Sequence, residues 1–493
     1  MKLVKTGGTA VFLGLDLGTS GLRSLLVDDT GKTIGAAEAH YDVSHPKAGW
    51  SEQDPQSWIN ALQATLAELR ANHPNEMTAL RGLGISGHMH GAVLLDSEGA
   101  VLRPCILWND TRSHAQAAKL DAADKVRALS GNIVFPGFTA PKLMWVAEHE
   151  PEIFDRVATV LLPKDYVNFW LTGRMCCDLS DAAGTSWLDV GAQDWSEALL
   201  QASGMHRSQM PELTQGSAAI GTISEKRTAE LTLPEAVQVA GGAADNAAAA
   251  CGVGALSEGQ GFVSLGTSGV LLAARDSFAP MPASAVHTFC HAVPETWYQM
   301  GVILAATDSL NWLSRLLEQE AAELAASLGD SISAPGEVRF LPYLSGERTP
   351  HNDAQVRGAF LNLDIASDRV DMTRAVIEGV SFALRDSLEA LKSTGADLSR
   401  IIAIGGGAQS AYWVELLATV LNLPVDLPDK GEFGAALGAA RLAISAVTGK
   451  DPREVMTPPA IRTTIMPRTE LVAAYGAAWE KYRASYPALR SLK

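Results

Sequence analysis

Apolar positions along the chain come in short, dense runs, each closed by glycine or a polar turn. VFLGL (Val11 to Leu15) runs into DLGTSG and then into LRSLLV, which predicts strand, tight turn, strand. About half a chain later GFV (Gly261 to Val263) runs into SLGTSG and then VLLAA, the same pattern. A repeated motif in a repeated context predicts two related domains, joined near residues 254–261 where GALSEGQG is polar and Gly-rich. The boundary is placed between residues 256 and 257, giving domains 1–256 and 257–493.

In the first half a hairpin turn is expected at DDTGK. A helix is expected over Ser57–Ala71, where Ile59, Leu62, Leu66 and Leu69 repeat at helical spacing. LRGLGIS reads as a buried strand leading into HMHG and a second strand, AVLLD, and a further strand precedes the glycines of VAGGAADN. In the second half VRFLPYL reads as a strand and Asp371–Lys392 as a long helix. IIAI runs straight into GGG before a helix over Ser410–Leu423, and GEFGAALGAARLAISAV makes a final small-residue helix. Strands mixed with helices in both halves predict an α/β fold.

Composition narrows the field. The 493 residues are 47% apolar and 19% charged, enough to fill large cores. Lys and Arg number 39 against 55 Asp and Glu, a net charge of −16 with no basic run, so nucleic acid is not an expected partner. MKLVKTGGTA lacks the apolar stretch of a signal peptide, and no run long enough to span a bilayer follows. The five cysteines form no CxxC pair, which reads as reduced thiols in a cytoplasmic protein.

The candidate chemistry sits at the glycine turns. Gly18, Thr19, Ser20 and Gly21 offer successive N–H groups and two hydroxyls, an anion-binding concavity suited to phosphate, with Arg23 close behind. A plain hairpin turn is the alternative for either copy alone. IGGGAQS (Ile404 to Ser410) lets the backbone approach a nucleobase or ribose at a helix start. Asp245, at the start of a small-residue helix, is either an N-cap or a base. As a solvent-accessible carboxylate with a pKa of about 3.9 it would be ionised at neutrality. His88 and His90 suit a polyol hydroxyl better than a metal, with a structural histidine as the alternative. His287 and His291 could share a helix face. GLGISG matches the dinucleotide fingerprint, but loop and strand follow where that fingerprint needs a helix, so a dehydrogenase is rejected.

These residues, with FTAPKLMWVAEHE, ILWNDTR, LLPKDY, SDAAGTSWLD, FLPYLSGERTPHND and GAFLNL…AVIEGVSFAL, resemble the FGGY carbohydrate kinases over residues 11–446. The closest resemblance is to the branch acting on D-xylulose. It implies two ribonuclease-H-like (actin-like ATPase) domains with ATP and sugar in an interdomain catalytic cleft, and phosphorylation of D-xylulose at O5 with Mg2+. Position by position it implies that Asp245 is the base and Asp16 organises the metal. Met89, His90, Asp245 and Asn246 would hold the sugar. Gly18, Thr19, Ser20 and Arg23 would form the first phosphate loop, and Gly266 and Thr267 the second. Thr307, Asn311, Gly406, Gly407, Ala408 and Ser410 would take the nucleotide. His88 stands where that branch carries Gln, and Ala244 where it carries Gly. A kinase for another ketose or polyol, such as ribulose, is the near alternative. An actin- or chaperone-like ATPase is the distant one, and a homodimer is left open.

Overall fold

The computed structural model describes residues 10–429 and 434–492. The chain divides into two compact units. One comprises Met1–Leu256, Phe289–Trp297 and Gly431–Pro458, and the other comprises Ser257–Thr288, Tyr298–Lys430 and Pro459–Lys493. The chain first passes between the units at 256/257, and two later segments return to the first unit, so residues 257–493 are not one continuous unit.

Each unit is built on a seven-stranded sheet. In the first, β1 (Val11–Leu17), β2 (Gly21–Asp28), β3 (Thr33–His40), β4 (Leu80–Gly87), β5 (Ala219–Thr222) and β6 (Gln238–Ala240) lie in the order β5-β6-β4-β1-β2-β3, and the two-residue strand Ala243–Ala244 pairs with β4 as the seventh. β1 runs antiparallel to β2 and parallel to β4, so Asp16 stands opposite Arg23 on one side and level with Ser86 on the other. The expected helix runs from Pro55 to Asn72 with Asp54 as its N-cap, and packs its Ile59, Leu62, Leu66 and Leu69 face against β2 and β3. The glycines of GLGISG lie inside β4, so no helix opens there to receive a pyrophosphate.

The small-residue helix occupies Ala435–Thr448; its expected start, Gly431 to Phe433, lies outside the described residues. Its composition has a packing cause. A Cβ on Gly14 would stand 1.8 Å from Ala436 O, and one on Gly84 2.1 Å from Ala439 O. Helix and sheet backbones meet too closely for any side chain on either strand.

In the second unit, β7 (Gly261–Leu265), β8 (Gly269–Arg275), β9 (His287–Cys290), β10 (Trp297–Ile303), β11 (Ile401–Ile404), β12 (Val425–Pro428) and β13 (Ile461–Ile465) lie in the order β9-β10-β8-β7-β11-β12-β13. β7 is antiparallel to β8 and parallel to β11, repeating the relations of β1 to β2 and β4. The internal repeat is therefore one of topology as well as of letters. The long helix spans Arg369–Ser393, and Ala411–Leu421 follows the glycine turn.

Two expectations need correction. His287 opens β9, so the His287/His291 pair shares no helix face. Ala435–Thr448 is not the last helix, because Thr469–Arg490 follows it and buries Tyr475, Trp479, Tyr482 and Tyr486. Those aromatics recur at helical spacing, a signal that was present in the sequence. All five cysteines are buried free thiols, and no helix among the described residues is long and apolar enough to cross a membrane.

Candidate active site

The first glycine turn is closed by Gly18 N donating to Gly21 O at 3.0 Å. Its carbonyls are tied down by side chains, Tyr41 OH on Gly18 O and Gln53 Nε2 on Thr19 O, both at 2.6 Å. Trp108 Nε1 donates to Thr19 Oγ1 at 3.0 Å, and Ser20 is exposed at the tip. Arg23 forms an ion pair with Glu38 on β3, so part of its expected phosphate-facing charge is engaged there.

Asp16 ends β1 half-buried and accepts from Ser86 Oγ at 3.3 Å. Burial first, and then the charge of Asp245, push its carboxyl up to about 6; Ser86 and Arg23 oppose that rise. The two carboxylates therefore lie within electrostatic reach of one another, although 229 positions separate them in the sequence. Asp16 also fits Mg2+. It is a hard oxygen donor, beside a second negative charge, and this ion takes one or two protein carboxylates when phosphates and water complete its shell.

Asp245 is the first residue of the helix Asp245–Val253, whose N-cap is Ala244, so it lies within the first turn instead of capping it. Its Oδ1 accepts from Asn246 N at 2.6 Å and Asn246 Nδ2 at 2.9 Å. The expected ordinary carboxylate is corrected: burial pushes Asp245 up to about 6 against those two bonds. It stays mostly ionised at neutral pH.

Met89 is buried, and His90 follows it at φ 70°, a left-handed backbone uncommon for a residue with a side chain. Three groups hold His90 there. Lys142 Nζ and Thr139 Oγ1 donate to its carbonyl at 2.8 and 3.1 Å, and its ring stacks on Phe138 at 4.4 Å. Nδ1 lies 2.6 Å from Gly184 O, which only accepts, so Nδ1 carries a proton. A Cβ on Gly184 would fall 2.7 Å from both the His90 ring and Met89 Cε, so glycine makes room for the pair.

His88 does not join them. It is buried against Trp58, ring centroids 5.8 Å apart, and burial pushes its imidazole down to about 3. Sequence reasoning assigned no role to Ser86, Thr139, Lys142 or Gly184, though all four lie within segments that carry the family resemblance.

In the second unit, Gly266 O accepts from Thr307 N at 2.9 Å and Thr307 Oγ1 at 2.8 Å, which joins the second glycine turn to the helix Thr307–Leu317. Beside it opens a cavity of about 550 Å³. Thr307, Asn311, Gly406, Gly407 and Ser410 line it together, as the sequence places them, and the volume is in the range of small-molecule and cofactor sites. A Cβ on Gly407 would lie 2.8 Å from Leu265 Cβ, whereas one on Gly406 would meet nothing within 4 Å. Ser410 also caps the helix Ala411–Leu421, accepting from Trp413 N at 3.3 Å. Ala408 differs: it packs partly buried against the apolar core. The wall that sequence reasoning missed comes from Ala321, Ala322, Ala325 and Ala326, with Asp330 at its edge. An alanine-rich helix carries no chemical signature of its own.

Residues 11–252 match the N-terminal domain of the FGGY family of carbohydrate kinases, and residues 261–447 match its C-terminal domain. The chain is 42% identical to the xylulose kinase of Escherichia coli (strain K12), over 98% of this chain and 100% of that one. It is 36% identical to the xylulose kinase of Bacillus subtilis (strain 168), over 97% of each. Among solved structures, a xyloylose kinase from Brucella ovis superposes with a TM-score of 0.96 at 55% identity, covering 98% of this chain and 100% of that one. A gluconate kinase from Lactobacillus acidophilus superposes with a TM-score of 0.90 at 26% identity, covering 98% of each.

Proposed function

The chain belongs to the FGGY family of carbohydrate kinases, and from that premise we propose that it transfers the γ-phosphoryl group of ATP to O5 of D-xylulose, giving D-xylulose 5-phosphate and ADP. The observation that carries the reading is the pair Asp16 and Asp245, two carboxylates brought within each other's field beside a glycine turn. Relatives 36–42% identical over nearly their full lengths, all xylulose kinases, support the choice of sugar.

In this reading the second unit holds the nucleotide, with adenosine in the cavity lined by Thr307, Asn311, Gly406, Gly407 and Ser410. Backbone N–H groups at Thr19 and Ser20 in the first unit, with Arg23 adding positive charge, and at Gly266 and Thr267 in the second would each serve as a phosphate-binding turn. Asp16 would hold Mg2+, which when bound neutralises charge on the β- and γ-phosphates. Met89, His90 and Asn246 orient the ketose. Asp245 takes the proton of the O5 hydroxyl as that oxygen attacks phosphorus in line with the departing ADP. A base with a pKa of about 6 is ionised at neutral pH yet basic enough to accept that proton.

The test is a coupled ADP-release assay over D-xylulose, D-ribulose, gluconate, glycerol and other alditols, with a no-sugar control. D-xylulose is expected to give the highest kcat/KM, and Asp245→Ala to lose several orders of magnitude of turnover while still binding ATP. ATP hydrolysis indifferent to sugar would overturn the kinase reading. A higher kcat/KM on another acceptor would overturn the substrate.

A further inference from the structure

The turn bearing Asp245 is braced by an ionic cluster with no counterpart in the reaction chemistry. Lys164, Asp165, Asp178 and Asp181 have fully buried side chains. Lys164 Nζ pairs with Asp165 and lies 2.8 Å from Asp178 Oδ1 and 3.6 Å from Asp181 Oδ2. The other oxygen of Asp178 accepts from Ser180 Oγ at 2.5 Å and Ser180 N at 2.8 Å. Ser180 Oγ accepts in turn from Ala244 N at 3.0 Å, one residue before Asp245. Asn168, one helical turn after Lys164, donates from Nδ2 to Gly241 O at 3.1 Å. The connection from Gly241 to Asp245 is thus gripped near both ends from one place.

The same cluster backs the strand that serves Asp16. Ala243 and Ala244 pair in parallel with Ser86 and Gly87, and a Cβ on Gly87 would lie 2.9 Å from Lys164 Cβ. Ser86 is the residue that donates to Asp16. One ammonium among three buried carboxylates is a costly way to fill a core, since an apolar set of equal volume is often as stable or more so. What charges and hydroxyls add, and methyl groups do not, is direction.

We propose that Lys164, Asp178 and Ser180 are positioning residues for the base. Lys164 orients Asp178, Asp178 orients the Ser180 hydroxyl, and that hydroxyl fixes the backbone leading into Asp245. Asn168 fixes the other end of the connection. The inference rests on Asp245 being the base.

Ser180→Ala removes one oxygen and adds no volume. It is expected to lower kcat for the sugar 10- to 100-fold, the scale on which a small misplacement of a reacting group acts. KM for ATP should stay within twofold and the thermal midpoint within a few degrees. In an Asp245→Ala background the same change is expected to cost nothing more. Asn168→Ala, which cuts only the bond to Gly241, should lower kcat several-fold, and serves as the second variant if Ser180→Ala folds poorly. Wild-type kcat in both variants, or an equal loss from Ser180→Ala with and without Asp245, overturns the inference. Normal turnover of Asp245→Ala alone strikes down the base assignment instead.

Discussion

Replacing Asp245 by Asn should make the protein more stable while removing its activity, and the gain should depend on pH. Burial raises the carboxyl from 3.8 to about 6 in the folded chain, so folding at neutral pH works against ionisation. That difference corresponds to about 3 kcal/mol when the group is fully charged, and partial solvent contact reduces it to about 2–3 kcal/mol. Because the folded pKa is the higher one, the penalty is present in full above pH 6. It shrinks as pH falls from 6 to 4 and vanishes once both states are protonated. Asn carries no charge, keeps an oxygen for the two Asn246 donors, and relieves the repulsion felt by Asp16. At pH 7.5 the Asp245→Asn melting midpoint should rise by about 5 °C at the usual scaling for a unit of this size. At pH 4.5 the gain should be mostly gone. Calorimetry at both pH values, beside the ADP-release assay, measures stability and turnover together. A midpoint at or below wild type at pH 7.5, or a gain of equal size at pH 4.5, would refute the reasoning.

Other consequences follow from the same geometry. Because Asp245 is held near 6, kcat/KM for the sugar should fall about tenfold per pH unit below 6; an unchanged value down to pH 5 contradicts its assignment as the base. Gly407→Val places carbon where even a Cβ stands 2.8 Å from Leu265 Cβ, and should raise KM for ATP at least tenfold with KM for the sugar within twofold. Trp479→Phe removes the indole N–H that donates to Asp386 at 2.9 Å in the second unit's core. Burial already pushes Asp386 up to about 7, and losing that donor should cost about 1–3 kcal/mol in a denaturant melt with kinetics unchanged.

The local elements were readable because their causes are local. Ile59, Leu62, Leu66 and Leu69 mark one helix face, and the paired GTSG turns mark two hairpins whose strand relations repeat. The glycine turn at Gly406 and Gly407 was readable because glycines in a strand–helix connection have few other uses, and those two line one cavity with Thr307, Asn311 and Ser410. Hydrogen-bond donors to backbone carry no such mark. Lys142 carries no mark of its own within FTAPKLMWVAEHE, yet it is fully buried and holds His90 in its left-handed conformation. His88 and His90 look alike two residues apart, and only the packing of Trp58 and Gly184 separates a core histidine from one at the site.

The sequence alone determined the hairpins and the repeat, since each depends on residue type and near neighbours, and it singled out Asp245 from its place at a helix start and Asp16 by family resemblance. Tertiary structure decided that those acids face a common field, that burial lifts them both to about 6, and that a buried cluster of one lysine and three aspartates stands behind the turn. Desolvation and distance belong to atoms brought together from remote parts of the chain, and a linear order of residues does not contain them.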